Sequence, residues 1–221
     1  MHIEPGIIDG AKIALSWGTG AAAGAYGLKL AWETVKERGL ASLAARGLIA
    51  TGAAFSFFQV LPHFPVGVSE VHFILGSTLF LILGAAPAAF GLAMALLLQG
   101  LLFAPLDLPQ YAANLTTLLV PLFAMAALAR RIIAPGTAYV DLSYVQTLKL
   151  STAFQGGVVA WVAFWAFYGQ GLAAWESVVT FGMAYMLVVL IEPLVDLALL
   201  AGAKSLKGLD KTGLVTPRLF A

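Results

Sequence analysis

The sequence predicts an all-α polytopic membrane protein with about seven transmembrane helices. Its composition, its apolar stretches and the placement of its cations all predict this class. Of the 221 residues, 61% are apolar and only 10% are charged, whereas a soluble domain is roughly half apolar and about a quarter charged. The mean hydropathy is +0.92. At roughly 20 apolar residues per span, the chain has room for about six to eight spans and little else. This composition excludes a disordered chain and almost any soluble globular fold.

The charge and the cysteine content exclude several function classes. The formal net charge is +1, so the chain offers no bulk electrostatic attraction to nucleic acid. Because the sequence contains no cysteine, disulfide frameworks, thiolate metal sites and iron–sulfur clusters are excluded. The sequence has neither a phosphate-binding Gly-x-x-x-x-Gly-Lys-Ser/Thr loop nor a His-Glu-x-x-His pattern. The chain is therefore predicted not to be an enzyme, and any ATP-driven transport needs separate ATP-binding subunits.

Seven apolar stretches are interpreted as spans, although the third is short. Strands are not expected, because barrel strands alternate polar and apolar residues and these stretches do not. A tight turn over residues 85–89 is expected between the third and fourth spans. The stretches cover residues 7–32, 43–61, 71–84, 87–103, 111–128, 150–168 and 178–201.

The lysines and arginines predict the orientation, because cytoplasmic loops are enriched in these residues. Eleven of the 12 fall on one side of the predicted spans, and only Lys12 falls on the other. This asymmetry places the N-terminus outside and the C-terminus in the cytoplasm, which requires an odd number of spans. Residues 1–203 then form a single transmembrane domain, and residues 204–221 form a short basic cytoplasmic tail. The eleven cations are Lys29, Lys36, Arg38, Arg46, Arg130, Arg131, Lys149, Lys204, Lys207, Lys211 and Arg218.

All three histidines lie at the extracytoplasmic end in this topology. His2 is at the outer terminus, His63 is in the loop after the second span, and His72 begins the third. One interpretation is that polar residues simply collect at membrane edges. The other is a shared site, in which His63 is expected at the rim rather than as a primary ligand.

A histidine at position 2 offers a chelate for a metal ion. The α-amine of Met1 and the backbone nitrogen of His2 close a five-membered ring, and that nitrogen and the His2 imidazole close a six-membered ring. Planar nitrogen coordination suits Ni(II), Cu(II) and Co(II) and disfavours Mg(II) or Ca(II). The sequence therefore predicts a transition-metal ligand set at a free N-terminus.

Five short segments carry a family resemblance. They are Met1-His2-Ile3 with Gly6, Ser69-Glu70-Val71-His72 followed by Gly84, Leu98-Gln99-Gly100-Leu101-Leu102-Phe103, Ala112-Ala113-Asn114-Leu115, and Ile191-Glu192. These segments resemble the cobalt/nickel energy-coupling factor (ECF) transporter permeases, the CbiM/NikM-type substrate-binding components. The similarity extends over most of the chain, and its most specific parts are the N-terminal Met-His-Ile and the spaced histidine.

The resemblance implies a function and a set of site residues. Members of this family bind a divalent transition metal near the outer face. Their ligands are the first-residue amine, the second-residue histidine and a histidine at the start of a later span, which match Met1, His2 and His72. Asn114 matches an asparagine that supports such a site, since a metal-bound imidazole usually donates its other N–H to an oxygen.

The resemblance also implies partners. Importers of this kind lie in a bacterial-type inner membrane and combine the metal-binding component with a transmembrane coupling subunit and two ATP-binding subunits. A small accessory membrane subunit is left open, and no cofactor beyond the transported cobalt or nickel is implied. Ala21 and Ala25, four residues apart on the first span, form a small-residue pair that permits close helix approach. The resemblance makes this pair a docking face for the coupling subunit, and the alternative is packing within the chain's own bundle.

Two carboxylates in the last predicted span support a rival interpretation. Glu192 and Asp196 are four residues apart, and intramembrane carboxylates are costly enough to indicate function. A proton-coupled secondary metal transporter would use them as a relay, whereas a buried charge pair with Arg46 would be structural. A third interpretation is a non-transporting membrane scaffold or sensor, which predicts no stoichiometric metal.

Overall fold

Seven α-helices and one short β-hairpin make up most of the chain that the computed structural model describes, which is residues 3–206. The helices are α1 (Ile13–Arg38), α2 (Leu40–Gln59), α3 (Gly76–Leu83), α4 (Ala85–Leu102), α5 (Tyr111–Ile132), α6 (Tyr144–Gln170) and α7 (Trp175–Leu206). The strands are β1 (Phe64–Val66) and β2 (Ser69–Val71), which pair antiparallel between α2 and α3. Short 3-10 turns precede α1, α5, α6 and α7.

Local residues explain where the long helices begin and end. α1 ends at Arg38 and is followed by Gly39, whose φ of +81° costs a glycine little. Lys36 and Arg38 in its last turn complement the negative end of the helix dipole. α6 begins at a capping box, in which the Gln146 amide donates to the Ser143 hydroxyl and the Ser143 amide donates to the Gln146 side-chain oxygen.

The prediction of a third span over residues 71–84 is wrong. Residue 71 ends β2, and α3 has only eight residues. A helix of that length spans about 12 Å, well short of the roughly 30 Å hydrocarbon core. α3 packs against α2, α4, α5 and α6, and its first four residues are buried. The helix bundle buries most of residues 72–79, as is common for apolar runs shorter than a span.

The connections around α3 also differ from the prediction. A single residue, Gly84 with a φ of +96°, separates α3 from α4, and residues 85–89 are already helical. The expected tight turn over residues 85–89 is therefore wrong. The hairpin was also not expected. Its two-residue turn begins at Gly67, whose φ of +63° is the left-handed conformation that such turns require.

Four helical segments of the described residues are long and apolar enough to cross a membrane. The count of seven spans is not confirmed, because α3 is too short and α1 is not among these segments. The orientation of the termini stays a prediction. Residues 204–206 of the predicted tail continue α7, and residues 207–221 lie outside the described residues. The four segments are Leu40–Gln59, Ala85–Leu102, Pro105–Ile132 and Tyr144–Ser205, of which the last contains both α6 and α7.

α1 contacts α5 through one face and leaves another face exposed. A Cβ added at Gly20 would lie 3.1 Å from the Cβ of Ala112 on α5, so the two helices approach closely there. Ala21 and Ala25 are both exposed. The alternative in which this alanine pair packs within the chain's own bundle therefore does not hold for the residues that the structure describes.

Candidate metal centre

The N-terminal segment is bound into the bundle from the first residue that the structure describes. Ile3 is 1% exposed, and its amide donates a hydrogen bond to the side-chain oxygen of Asn114 over 2.8 Å. Ile3 also forms an antiparallel bridge with Ser69 at the start of β2. Met1 and His2, two of the three predicted ligands, lie outside the described residues. The point to which His2 is attached is therefore fixed between β2 and α5.

Further contacts hold the residues that follow Ile3. The amide of Glu4 donates to the carbonyl of Val68 over 3.1 Å, and the Gln110 side chain donates to the carbonyl of Glu4 over 3.2 Å. Ile8 is 2% exposed and packs in a small apolar cluster with Trp165 of α6. The segment is thus held by hydrogen bonds on one side and by apolar packing on the other.

The C-terminal end of α6 also contacts the N-terminal segment. The ammonium of Lys12 donates to the carbonyl of Gly169. A Cβ added at Gly169 would lie 1.9 Å from the carbonyl oxygen of Ile7, which no backbone can tolerate. The absence of a side chain at position 169 is therefore required for the N-terminal segment to lie where it does.

His72 lies in the loop between β2 and α3, and it is 1% exposed. Its ring centroid lies 5.3 Å from that of Phe58 on α2 and 6.3 Å from that of His63. Ser69, which bridges Ile3, is three residues before His72 on the same strand and loop. The hairpin therefore brings the loop that carries His72 to the N-terminal segment.

His63 is placed beside His72 but closer to the surface. Its side chain is partly buried, and its Nδ1 lies 3.2 Å from the carbonyl oxygen of Leu61. With the proton on Nδ1, this nitrogen donates to that carbonyl, and Nε2 is the nitrogen with a lone pair for a metal. The structure thus brings together two of the three histidines, and its described residues do not include the third.

Acidic side chains surround the N-terminal segment. Burial raises the pKa of the Glu4 carboxyl above its usual range, and the carboxylates of Glu70 and Asp107 raise it further. Within residues 3–206, no three His, Asp or Glu side chains lie close enough together to hold a metal ion. The carboxylates of Glu70 and Asp107, which act on Glu4, contribute a negative potential that favours the approach of a cation.

Glu192 contacts the loop that follows His72. It is fully buried and accepts hydrogen bonds from the amides of Ile74 and Leu75 and from the side chain of Gln155. Arg46, the candidate partner of Glu192 or Asp196, donates over 2.7 Å to the backbone carbonyl at the last residue of α3. Among the described residues, this arginine therefore bonds to the backbone at the other end of α3 instead of forming the expected pair.

Three residues that hold the N-terminal segment were not among the predicted site residues: Ser69, Gln110 and Gly169. The glycine at the first position of a two-residue turn, Gly67, was an available signal for the hairpin that carries Ser69. No local pattern identifies the other two, because Gln110 is 106 residues from its partner Glu4, and Gly169 is 157 residues from Lys12.

Comparison with known proteins places the chain in a family. The model of the CbiM family, described as the cobalt uptake substrate-specific transmembrane region, matches residues 2–207. A crystal structure described as a truncated transition metal transporter shares the fold, with a TM-score of 0.68. That alignment covers 91% of this chain and 97% of the other chain at 19% identity. No curated protein matches the sequence. Because the family model covers almost all of the sequence, this chain belongs to the CbiM family of cobalt uptake transmembrane components.

Proposed function

We propose that this chain is the substrate-binding membrane component of an ATP-driven ECF-type importer. It captures cobalt or nickel at the extracytoplasmic face, and its ligands are the Met1 amine, His2 and His72. Asn114 supports the ligand set, and His63 lies at its rim. The transported ion is the substrate, and the protein is not an enzyme.

The hydrogen bond between the Ile3 amide and Asn114 is the observation that carries this proposal. A chelate built on the first two residues needs a chain that is held immediately after them, because a freely moving terminus loses conformational entropy when it binds an ion. Ile3 is held by Asn114 at 2.8 Å and by its bridge with Ser69. The loop that carries His72 follows that same strand, so the proposed ligand from the loop and those from the terminus are attached to neighbouring segments.

The chemistry of the proposed donors favours a late first-row transition metal. An amine, a backbone nitrogen and imidazoles are nitrogen donors, which suit Co(II) and Ni(II) and bind Mg(II) and Ca(II) poorly. The carboxylates near Glu4 favour the approach of a cation. Cobalt and nickel share these preferences, so both are candidate substrates.

Partner subunits supply the energy in this proposal. The sequence contains no phosphate-binding loop, so two ATP-binding subunits hydrolyse ATP, and a transmembrane coupling subunit transmits this to reorient the component. The exposed Ala21 and Ala25 of α1 form a small-residue face on which a helix of the coupling subunit can pack closely. Lipid covers the rest of the apolar exterior, in a bacterial-type inner membrane.

The test is metal binding by the full chain with an unmodified N-terminus. The detergent-purified protein is titrated with CoCl₂ and NiCl₂ by calorimetry, and its metal content is measured by mass spectrometry. We expect stoichiometric binding that is lost in His72→Ala and in a variant with an N-terminal extension that blocks the Met1 amine. His63→Ala is the matched control, because it removes a neighbouring imidazole that is not a primary ligand.

Two outcomes would contradict the proposal. Binding by the extended chain or by His72→Ala that equals the parent would exclude this ligand set, and no stoichiometric metal in any form would favour a scaffold or sensor. Uptake into proteoliposomes separates the two transport mechanisms. The ECF mechanism requires the coupling subunit, the ATP-binding subunits and ATP, whereas a proton-coupled transporter works alone with a pH gradient.

A further inference from the structure

The loop between His72 and α3 has a backbone conformation that its own residues do not favour. Leu75, which precedes α3, has a φ of +51°, and it is the one residue other than glycine with a positive φ among residues 3–206. A branched apolar side chain is rarely found in this left-handed region, and the conformation persists only where surrounding contacts impose it. Contacts outside the loop must therefore determine its shape.

Glu192 of α7 supplies those contacts. One carboxylate oxygen accepts the amide of Ile74, and the other accepts the amide of Leu75 over 3.1 Å. The carboxylate is itself held, because the Gln155 side chain donates to it and the Tyr185 hydroxyl donates to Gln155 over 2.8 Å. Glu192, Gln155 and Tyr185 are fully buried, so water does not compete for these bonds.

Asp196, one helical turn further along α7, makes a different set of contacts. It accepts hydrogen bonds from the hydroxyls of Ser77, over 2.5 Å, and Thr78. Both hydroxyls belong to the first turn of α3, and Ser77 is also 3.3 Å from Ser151 of α6. Asp196 therefore accepts hydrogen bonds from the helix α3 itself, whereas Glu192 accepts them from the loop beside His72.

We infer that Glu192 is a positioning residue for His72. Its two oxygens fix the amides of Ile74 and Leu75, and the first of these is two residues from the histidine. This fixes the backbone from which the His72 imidazole projects. The inference rests on the proposed function, since it takes His72 as a metal ligand. It assigns Glu192 to the geometry of that site and not to a proton relay.

The experiment uses Glu192→Gln with Asp196→Asn as the matched control. Both changes remove one buried carboxylate of α7, but only the first alters an acceptor of the amides beside His72. The two amides use different oxygens of Glu192, and a glutamine replaces one of these oxygens with an NH₂ group that only donates, so the amide facing it loses its acceptor. We expect Glu192→Gln to weaken Co(II) binding by about ten-fold or more, as loss of a group that orients a ligand does. We expect Asp196→Asn to weaken it less.

The visible absorption spectrum of bound Co(II) separates positioning from general stability, because the bands of this ion depend on its coordination geometry. We expect Glu192→Gln to shift the bands and Asp196→Asn to leave them unchanged, even if both lower the thermal midpoint. If Glu192→Gln fails to fold, Gln155→Met provides the test, because it keeps both carboxylates and removes the amide that orients Glu192. The expected result for Gln155→Met is also weaker cobalt binding and shifted bands.

The inference is overturned if the folded Glu192→Gln protein, or Gln155→Met in its place, keeps parental affinity and spectrum. It is equally overturned if Glu192→Gln blocks transport while binding is intact, which is the behaviour of a relay. The first result together with loss of binding in His72→Ala leaves the proposed function standing, whereas the second supports the proton-coupled transporter. Undiminished binding by His72→Ala would instead remove the proposed function itself.

Discussion

Glu192 and Arg46 hold opposite ends of the same eight-residue helix, α3. The carboxylate of Glu192 accepts the amides just before the helix begins. The guanidinium of Arg46 donates to the carbonyl of Leu83, where the helix ends. Acceptor oxygens at the amino end and a guanidinium at the carboxyl end complement the helix dipole, which is positive at the amino end and negative at the carboxyl end. Hydrogen bonds thus hold both ends of the short helix: Glu192 of α7 binds its start, and Arg46 of α2 binds its end.

Replacing Arg46 with methionine tests the fastening at the carboxyl end. The methionine keeps much of the apolar stem, but the Leu83 carbonyl loses a charged donor at 2.7 Å. A hydrogen bond to a charged group contributes about 1.5–3 kcal/mol, so we expect a lower thermal midpoint in detergent. Arg38→Met, at the exposed end of α1, is the control and should lower the midpoint less, because an exposed charge at a helix end contributes little. Equal midpoints for the two variants would show that the Arg46 contact stabilises nothing.

Asn114→Leu tests the anchor of the N-terminal segment. The substitution removes the acceptor of the Ile3 amide and leaves a buried donor without its partner. We expect cobalt affinity to fall by about 10–100-fold, as it does when groups that orient metal ligands are lost. Thr117→Val is the matched control, because Thr117 is also buried on α5 and bonds only within its own helix, to Ala113. The cobalt affinity of both variants is measured by calorimetric titration with CoCl₂. Equal affinities would show that the hydrogen bond between Ile3 and Asn114 does not support metal binding.

Gly169→Ala tests whether the end of α6 shapes the site. The added methyl would meet the carbonyl oxygen of Ile7 at 1.9 Å, so the N-terminal segment must move. Such overpacking typically costs about 1–3 kcal/mol, and we expect a lower thermal midpoint together with weaker cobalt binding. Gly156→Ala on the same helix has nothing within 4 Å of the new methyl and should behave like the parent. Parental cobalt affinity in Gly169→Ala would show that the segment's position does not affect the site.

Ala21→Trp and Ala25→Trp test the proposed docking face on α1. Both alanines are exposed, so a large side chain there fits the isolated chain but prevents close approach of another helix. We expect normal cobalt binding and loss of co-purification with the coupling subunit. Ala45→Trp, at an exposed alanine of α2, should still co-purify. Retention of the complex by the α1 variants would move the docking face elsewhere.

The membrane class and the family were accessible from the residues alone. Apolar content and the length of apolar stretches depend only on residues that are adjacent in sequence. They can therefore be evaluated without knowing how the helices pack. The Met-His-Ile start and the His72 segment carried the family resemblance, and the family match over residues 2–207 confirms it. These local signals also singled out Asn114, which the structure brings to Ile3.

Hydropathy alone cannot distinguish a buried segment from one that faces lipid, because both are apolar. Hydropathy therefore predicts a span over residues 71–84, whereas the structure divides them among the end of β2, the loop with His72 and the short helix α3. Only the fold made this distinction, because it shows which neighbours surround the segment. The tertiary structure likewise decided the partners of Glu192 and Asn114, which contact Ile74 and Ile3 across 118 and 111 residues of chain. Contacts over such separations depend on how whole helices pack, and they leave no periodic pattern in the residues that make them.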